Sequence, residues 1–97
     1  MRNELLQTLS SAPFLLFVAG DSPNSRAAIA NLNRALASLD LAVTSVEIVD
    51  VYEHPDFTAQ ARVMVTPALV RRSDPRSRIL GDLSVPGQVA DFLQLMP

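Results

Sequence analysis

Two kinds of apolar pattern alternate along this chain. Phe14, Leu15, Leu16, Phe17, Val18 and Ala19 run together without a polar residue. An unbroken run of that kind marks a strand covered on both faces, as in a parallel sheet. Gly20, Asp21, Ser22, Pro23, Asn24 and Ser25 follow as turn residues, and Gly20 permits a positive φ there. The period then changes: Ile29, Leu32, Leu36 and Leu39 recur at spacings of three, four and three. They predict a helix over 26–39 with one buried stripe, and Arg26, Asn33 and Arg34 lie off it. Asn24 or Ser25 is the expected cap, with Pro23 just outside the helix.

Residues 43–51 are rich in β-branched side chains, and Val46 and Ile48 share a face. Only a helix separates this strand from the first, so the two should pair in parallel through a right-handed crossover. Pro55 suits the start of a short helix over 56–64, with Phe57, Ala61 and Met64 toward the core. Residues 68–72 and 78–80 read as an antiparallel hairpin around the turn residues Ser73, Asp74, Pro75, Arg76 and Ser77. Ser84 is the expected cap of a last helix, with Pro86 near its first turn. Val89, Phe92, Leu93 and Met96 form its apolar face. Residues 1–13, with Leu5, Leu6 and Leu9 among polar neighbours, read as a leader, and 14–97 as a single domain.

The order βαβαββα makes an α/β fold, a central mixed four-stranded sheet flanked by helices. It resembles the thioredoxin-like arrangement, in which a cis-proline stands before a strand. Thr66 and Pro67 hold that place here.

Composition removes more functions than it suggests. The chain has no cysteine, so disulfide stapling, thiolate metal sites and dithiol exchange are excluded. Its net charge of -2, without a lysine, lacks the basic excess of a non-specific nucleic-acid binder. No apolar run approaches the ~20 residues that span a bilayer. Residues 1–4 lack the basic region of a secretory signal, so the cytoplasm is the expected location.

Ser22 and Ser25 carry hydroxyls, but nothing local orients the single histidine, His54, toward them. Asp50, Glu53 and Asp56 near His54 match no calcium-loop spacing and read as a solvated acidic rim. Gly20 and Gly81 make no phosphate loop, and no cofactor or metal is expected. Five of the eight arginines, Arg62, Arg71, Arg72, Arg76 and Arg78, fall in the second half. Arg71 and Arg72 are adjacent on a strand and should face opposite ways. Arginines so placed suit a partner's carboxylates or the protection of sheet edges.

Four pieces stand in order along residues 14–95. They are Leu16-Phe17-Val18-Ala19-Gly20-Asp21-Ser22-Pro23-Asn24-Ser25, then Val49-Asp50-Val51 followed by Pro55, then Val65-Thr66-Pro67-Ala68-Leu69, then Ile79-Leu80-Gly81-Asp82-Leu83-Ser84. Together they resemble the KaiB family, small clock proteins of cyanobacteria with relatives in other bacteria. The resemblance implies a non-enzymatic regulator that binds the ATPase ring of a KaiC-like RecA-type protein. It implies KaiA or a histidine kinase as further partners, and homo-oligomers, since the family has a tetrameric resting form with a rearranged C-terminal half. On this reading Arg62, Arg71, Arg72 and Asp82 are the candidate partner contacts. Gly20, Pro23, Asn24, Thr66, Pro67 and Gly81 are the candidate structural positions.

The departures from the family are local. The hairpin turn has the single proline Pro75, and Val85-Pro86-Gly87-Gln88 replaces a charged segment. Phe92 and Gln94 stand where clock members carry a glycine and an aspartate. Both favour an amphipathic last helix and so a chain that rests in the thioredoxin-like form. The sensory domain of the SasA histidine kinase is also similar. That leaves a second reading open, an adaptor or sensory domain in stress or two-component signalling without circadian timing.

Overall fold

A computed structural model describes residues 12–94; the expectations for Leu5, Leu6, Leu9 and Met96 lie outside the described residues. The elements are β1 (Phe14–Val18), α1 (Pro23–Ser38), β2 (Val46–Asp50), α2 (Pro55–Gln60), β3 (Ala68–Arg71), β4 (Asp74–Leu80) and α3 (Pro86–Gln94). A 3-10 turn, Val43–Ser45, leads into β2. The sheet order is β2-β1-β3-β4. β1 is parallel to β2, with Phe14 opposite Val46, and antiparallel to β3, with Phe17 opposite Ala68. β3 and β4 are antiparallel, with Leu69 opposite Ile79. The mixed four-stranded sheet is therefore as the sequence predicts. Its two central strands, β1 and β3, are buried along their whole length.

The pleat sorts the core into two layers. Phe14, Leu16, Val18 and Leu69 pack with Leu32 and Leu36 of α1 and Val89, Phe92 and Leu93 of α3. Leu15, Phe17, Ala68 and Val70 face the other way, onto Phe57, Ala61 and Val63 around α2. A ring pair anchors each layer: Phe14 and Phe92 at 5.7 Å, Phe17 and Phe57 at 5.6 Å.

Several local expectations are corrected. α1 begins at Pro23, and its cap is Ser22 rather than Asn24 or Ser25. Proline suits the first helical position because the N–H it lacks would have no intrahelical partner, so the cap precedes it. Ser22 Oγ accepts Ser25 N–H at 3.3 Å and donates to Ser25 Oγ at 2.9 Å. Ser25 Oγ in turn accepts Ala19 N–H at 3.0 Å, which ties the helix start to the end of β1. Ala28, not Ile29, is the fully buried residue of its turn; Ile29 and Leu39 are half-buried against the core. Ile48 is exposed although Val46 on the same face of the edge strand β2 is buried, since the α1–α3 core takes in Val46 and does not extend to Ile48.

α2 stops at Gln60, and Met64 is 89% exposed instead of inside. Arg62 takes φ +56, Arg62 N–H bonds Ala59 O at 3.0 Å and Val63 N–H bonds Thr58 O at 3.2 Å. This left-handed closure turns Val63 into the core and Met64 out of it. β4 absorbs residues 74–77, leaving Arg72 and Ser73 as the tight turn, with a register shift between Val70 and Arg71. The first backbone bond of α3 runs from Val89 N–H to Val85 O, so Ser84 lies outside the cap position. Its N–H is donated to Asp82 Oδ1 at 3.1 Å.

Candidate docking surface

The pairing registers bring the C-terminal ends of β1, β2 and β4 and the N-terminal end of β3 to one edge of the sheet. The connections 19–22, 51–54, 63–67 and 81–85 converge there. Asp50 ties two of them, its Oδ1 accepting Gly20 N–H at 3.3 Å and Tyr52 N–H at 3.0 Å. Gly20 sits at φ +55, where a side chain is strained even though an added Cβ would only touch the Tyr52 ring at 3.6 Å. The Thr66–Pro67 bond is cis. Pro67 is buried, and its carbonyl accepts Gly81 N–H at 2.9 Å, joining the third connection to the fourth. Gly81 adopts φ +107, a conformation essentially reserved for glycine. Pro23 opens α1 beside this edge, and Asn24 is exposed on the first turn.

Where this edge meets solvent it is apolar. Among the described residues eight large hydrophobic side chains are exposed, and five belong here: Tyr52 (75%), Met64 (89%), Val65 (53%), Leu80 (55%) and Val85 (56%). Half-buried Asp82 lies on the last of these connections, and exposed Arg62 directly precedes the third. An exposed apolar group with a polar rim is the composition of a protein-docking surface.

The four candidate partner contacts do not lie together. Asp82 belongs to this edge; Arg62 precedes the third connection, its carbonyl bonded by Arg78 of β4, and Arg71 and Arg72 lie at the far end of β3, beside Phe14 and Pro13. Arg71 is buried, its guanidinium carbon 4.7 Å from the centre of the Phe92 ring and 5.5 Å from that of Phe14. Nη2 donates to Phe92 O at 3.2 Å and Nε to Ser77 Oγ at 3.4 Å. It fastens α3 to the sheet, and burial removes it from the set of surface contacts. Arg72 donates through Nε to Ala12 O at 2.6 Å and through its backbone N–H to Pro13 O at 2.8 Å. Buried Ala12 and its neighbour Pro13 thus belong with the domain rather than with a leader. Desolvation lowers the Arg72 pKa from its ordinary value, opposed by the Glu47 carboxylate, and the guanidinium stays charged at neutral pH.

The sequence did not single out Arg78. It pairs with Val70 on the α2 side of the sheet. Nη2 donates to Ala61 O at 2.8 Å and Nη1 to Arg62 O at 3.0 Å, holding the end of α2. A cation at a helix C-terminus is favourable, but only the hairpin register shows which arginine reaches it.

The two serines bond each other and the backbone, so they close a turn. The His54 carbonyl accepts both the N–H and the hydroxyl of Thr58. Among the described residues no group of three histidines or carboxylates could hold a metal. No helix of those residues is long and apolar enough to cross a membrane.

A family model described as the KaiB domain matches residues 15–95. The chain belongs to the KaiB family. A curated relative, circadian clock protein KaiB3 of Synechocystis sp., is 38% identical over 84 residues, covering 84% of this chain and 81% of that protein. The circadian clock oscillator protein KaiB of Synechococcus sp. is 34% identical over 82 residues, covering 84% and 74%. Among solved structures, the N-terminal domain of Synechococcus elongatus SasA has a TM-score of 0.61 at 29% identity, covering 87% of this chain and 82% of that one. Mitochondrial thioredoxin 3 from Saccharomyces cerevisiae reaches a TM-score of 0.67 at 19% identity, covering 96% and 88%. That likeness shows the thioredoxin-like fold alone, and this KaiB-family chain has no cysteine with which to perform dithiol exchange.

Proposed function

We propose that this KaiB-family protein is a non-enzymatic regulator that docks in the cytoplasm on the ATPase ring of a KaiC-like protein, in circadian or clock-related signalling. The observation that carries the reading is the exposed apolar edge around the cis bond at Pro67. Tyr52, Met64 and Val65 supply anchors there, while Arg62 and Asp82 set orientation through charge. Arg72 keeps its charge at the far end of β3 and is a secondary contact; Arg71 acts from inside, by holding α3. KaiA or a histidine kinase, and further copies of this chain, are the additional partners.

The test is a titration against the KaiC-like ATPase ring of the same organism, with ATP and then ADP, following the size of the complex. Nucleotide-dependent binding that Tyr52→Ala with Met64→Ala weakens at least about tenfold supports the reading. No binding in either nucleotide state overturns it. The likeness to the SasA N-terminal domain favours one second reading, an adaptor or sensory domain in stress or two-component signalling without circadian timing. Binding to a sensor kinase in the absence of any KaiC-like ring would select it.

A further inference from the structure

The α1–α3 face of the sheet carries a groove of about 430 Å³ between those two helices. Leu39, Leu83 and Val89 line it together with Ala35, Gly87 and the exposed Arg34. Arg34 is part of a relay. Its Nη2 donates to Asn31 Oδ1, and Asn31 Nδ2 donates to Asp82 O at 2.8 Å, which links Arg34 to the turn after β4. The ion pairs among the described residues are Arg26 with Asp21 and Arg76 with Asp74, and Arg34 forms none. Most of its planar N–H fork is left for a carboxylate, which such a fork grips through two parallel bonds.

Gly87 adds a second observation. It lies in the first turn of α3, its φ is not positive, and an added Cβ would meet nothing within 4 Å. The backbone does not require glycine there, and a side chain at this lining position would meet no clash at its Cβ. Size decides the kind of occupant. The volume falls within the ~300–1,000 Å³ of small-molecule sites.

We propose that this groove binds a small amphipathic carboxylate. Its alkyl or aryl part lies over Leu39, Leu83 and Val89, and its carboxylate is held by Arg34. The site is separate from the apolar cis-proline edge and does not depend on the function proposed for that edge.

The experiment is an amide NMR titration of the full chain with octanoate, octanol and octylammonium, each below its aggregation concentration. Saturable octanoate shifts confined to the second half of α1 and to residues 81–90 are expected. Octanol and octylammonium should bind about tenfold more weakly, and Arg34→Gln should cost octanoate a similar factor. Gly87→Leu should fill the groove and remove octanoate binding while thermal melting stays unchanged or rises. Three results overturn the proposal: no saturable shift with octanoate, octanol binding as tightly, or Arg34→Gln binding octanoate like the parent. It also falls if the parent self-associates without binding octanoate and Gly87→Leu makes it monomeric, since a second copy would then fill the groove.

Discussion

On one face of the sheet, α1 and α3 enclose thirteen buried apolar residues among those described; on the other, the six-residue α2 lies over eight. An arginine on the hairpin fastens a helix end on each side. Arg71 reaches the Phe92 carbonyl near the end of α3, and Arg78 reaches the Ala61 and Arg62 carbonyls after α2. Their surroundings differ. Arg71 is enclosed against two aromatic rings, so its stem and its charge both pack. Arg78 is half-exposed and acts through carbonyls. A helix as short as α2 is marginal without outside support. On this thinner face the arginine therefore directs the chain into the 63–67 connection, which carries Met64, Val65 and the cis bond. The proposed docking edge depends on the less deeply covered side of the protein.

The comparison is tested most severely at Arg71. Arg71→Ala should lower stability by about 2–4 kcal/mol through lost packing, cation–π contact and hydrogen bonds. Hydrogen exchange should show the loss concentrated in α3. Arg71→Met should recover part of it, because its side chain restores packing against the Phe14 and Phe92 rings that alanine leaves empty. Urea unfolding that places Arg71→Ala within about 0.5 kcal/mol of the parent would break the contrast between the two faces.

Arg78→Ala should cost less, about 1–2 kcal/mol, with amide protection lost over 55–67 and retained in α3. Equal loss in both regions would mean that the faces are not held separately. Ser22→Ala should remove about 1 kcal/mol by uncapping α1, and leave both hairpin arginines in place. Chemical denaturation with unchanged slope is the check.

The smallest effect has the opposite sign. Arg62 holds a left-handed conformation that glycine adopts without strain, so Arg62→Gly should raise stability by about 0.5–1 kcal/mol. The same change should weaken binding to the KaiC-like ring. A variant both more stable and fully active would remove Arg62 from the docking surface.

Local pattern alone determined the element types, their order and the layer architecture. An unbroken apolar run at Phe14 and a helical stripe through Leu32 and Leu36 are visible without knowing what they touch. The absence of cysteine was equally decisive, since no fold can restore a thiolate. The motif around Gly20, Pro67 and Gly81 carried the family, because those turns need particular residues at particular places.

The destinations of the arginines were a different matter. Arg71, Arg72 and Arg78 look alike in the chain, yet one is buried against rings, one is bonded to Ala12 and one caps α2. The pleat, the register shift after Val70 and the packing of α3 assign them, and each depends on residues distant in sequence. Met64 turned outward for the same kind of reason, a left-handed residue two positions earlier. Burial of a long polar side chain follows from which carbonyls and rings surround it, and only the assembled sheet and helices bring those together.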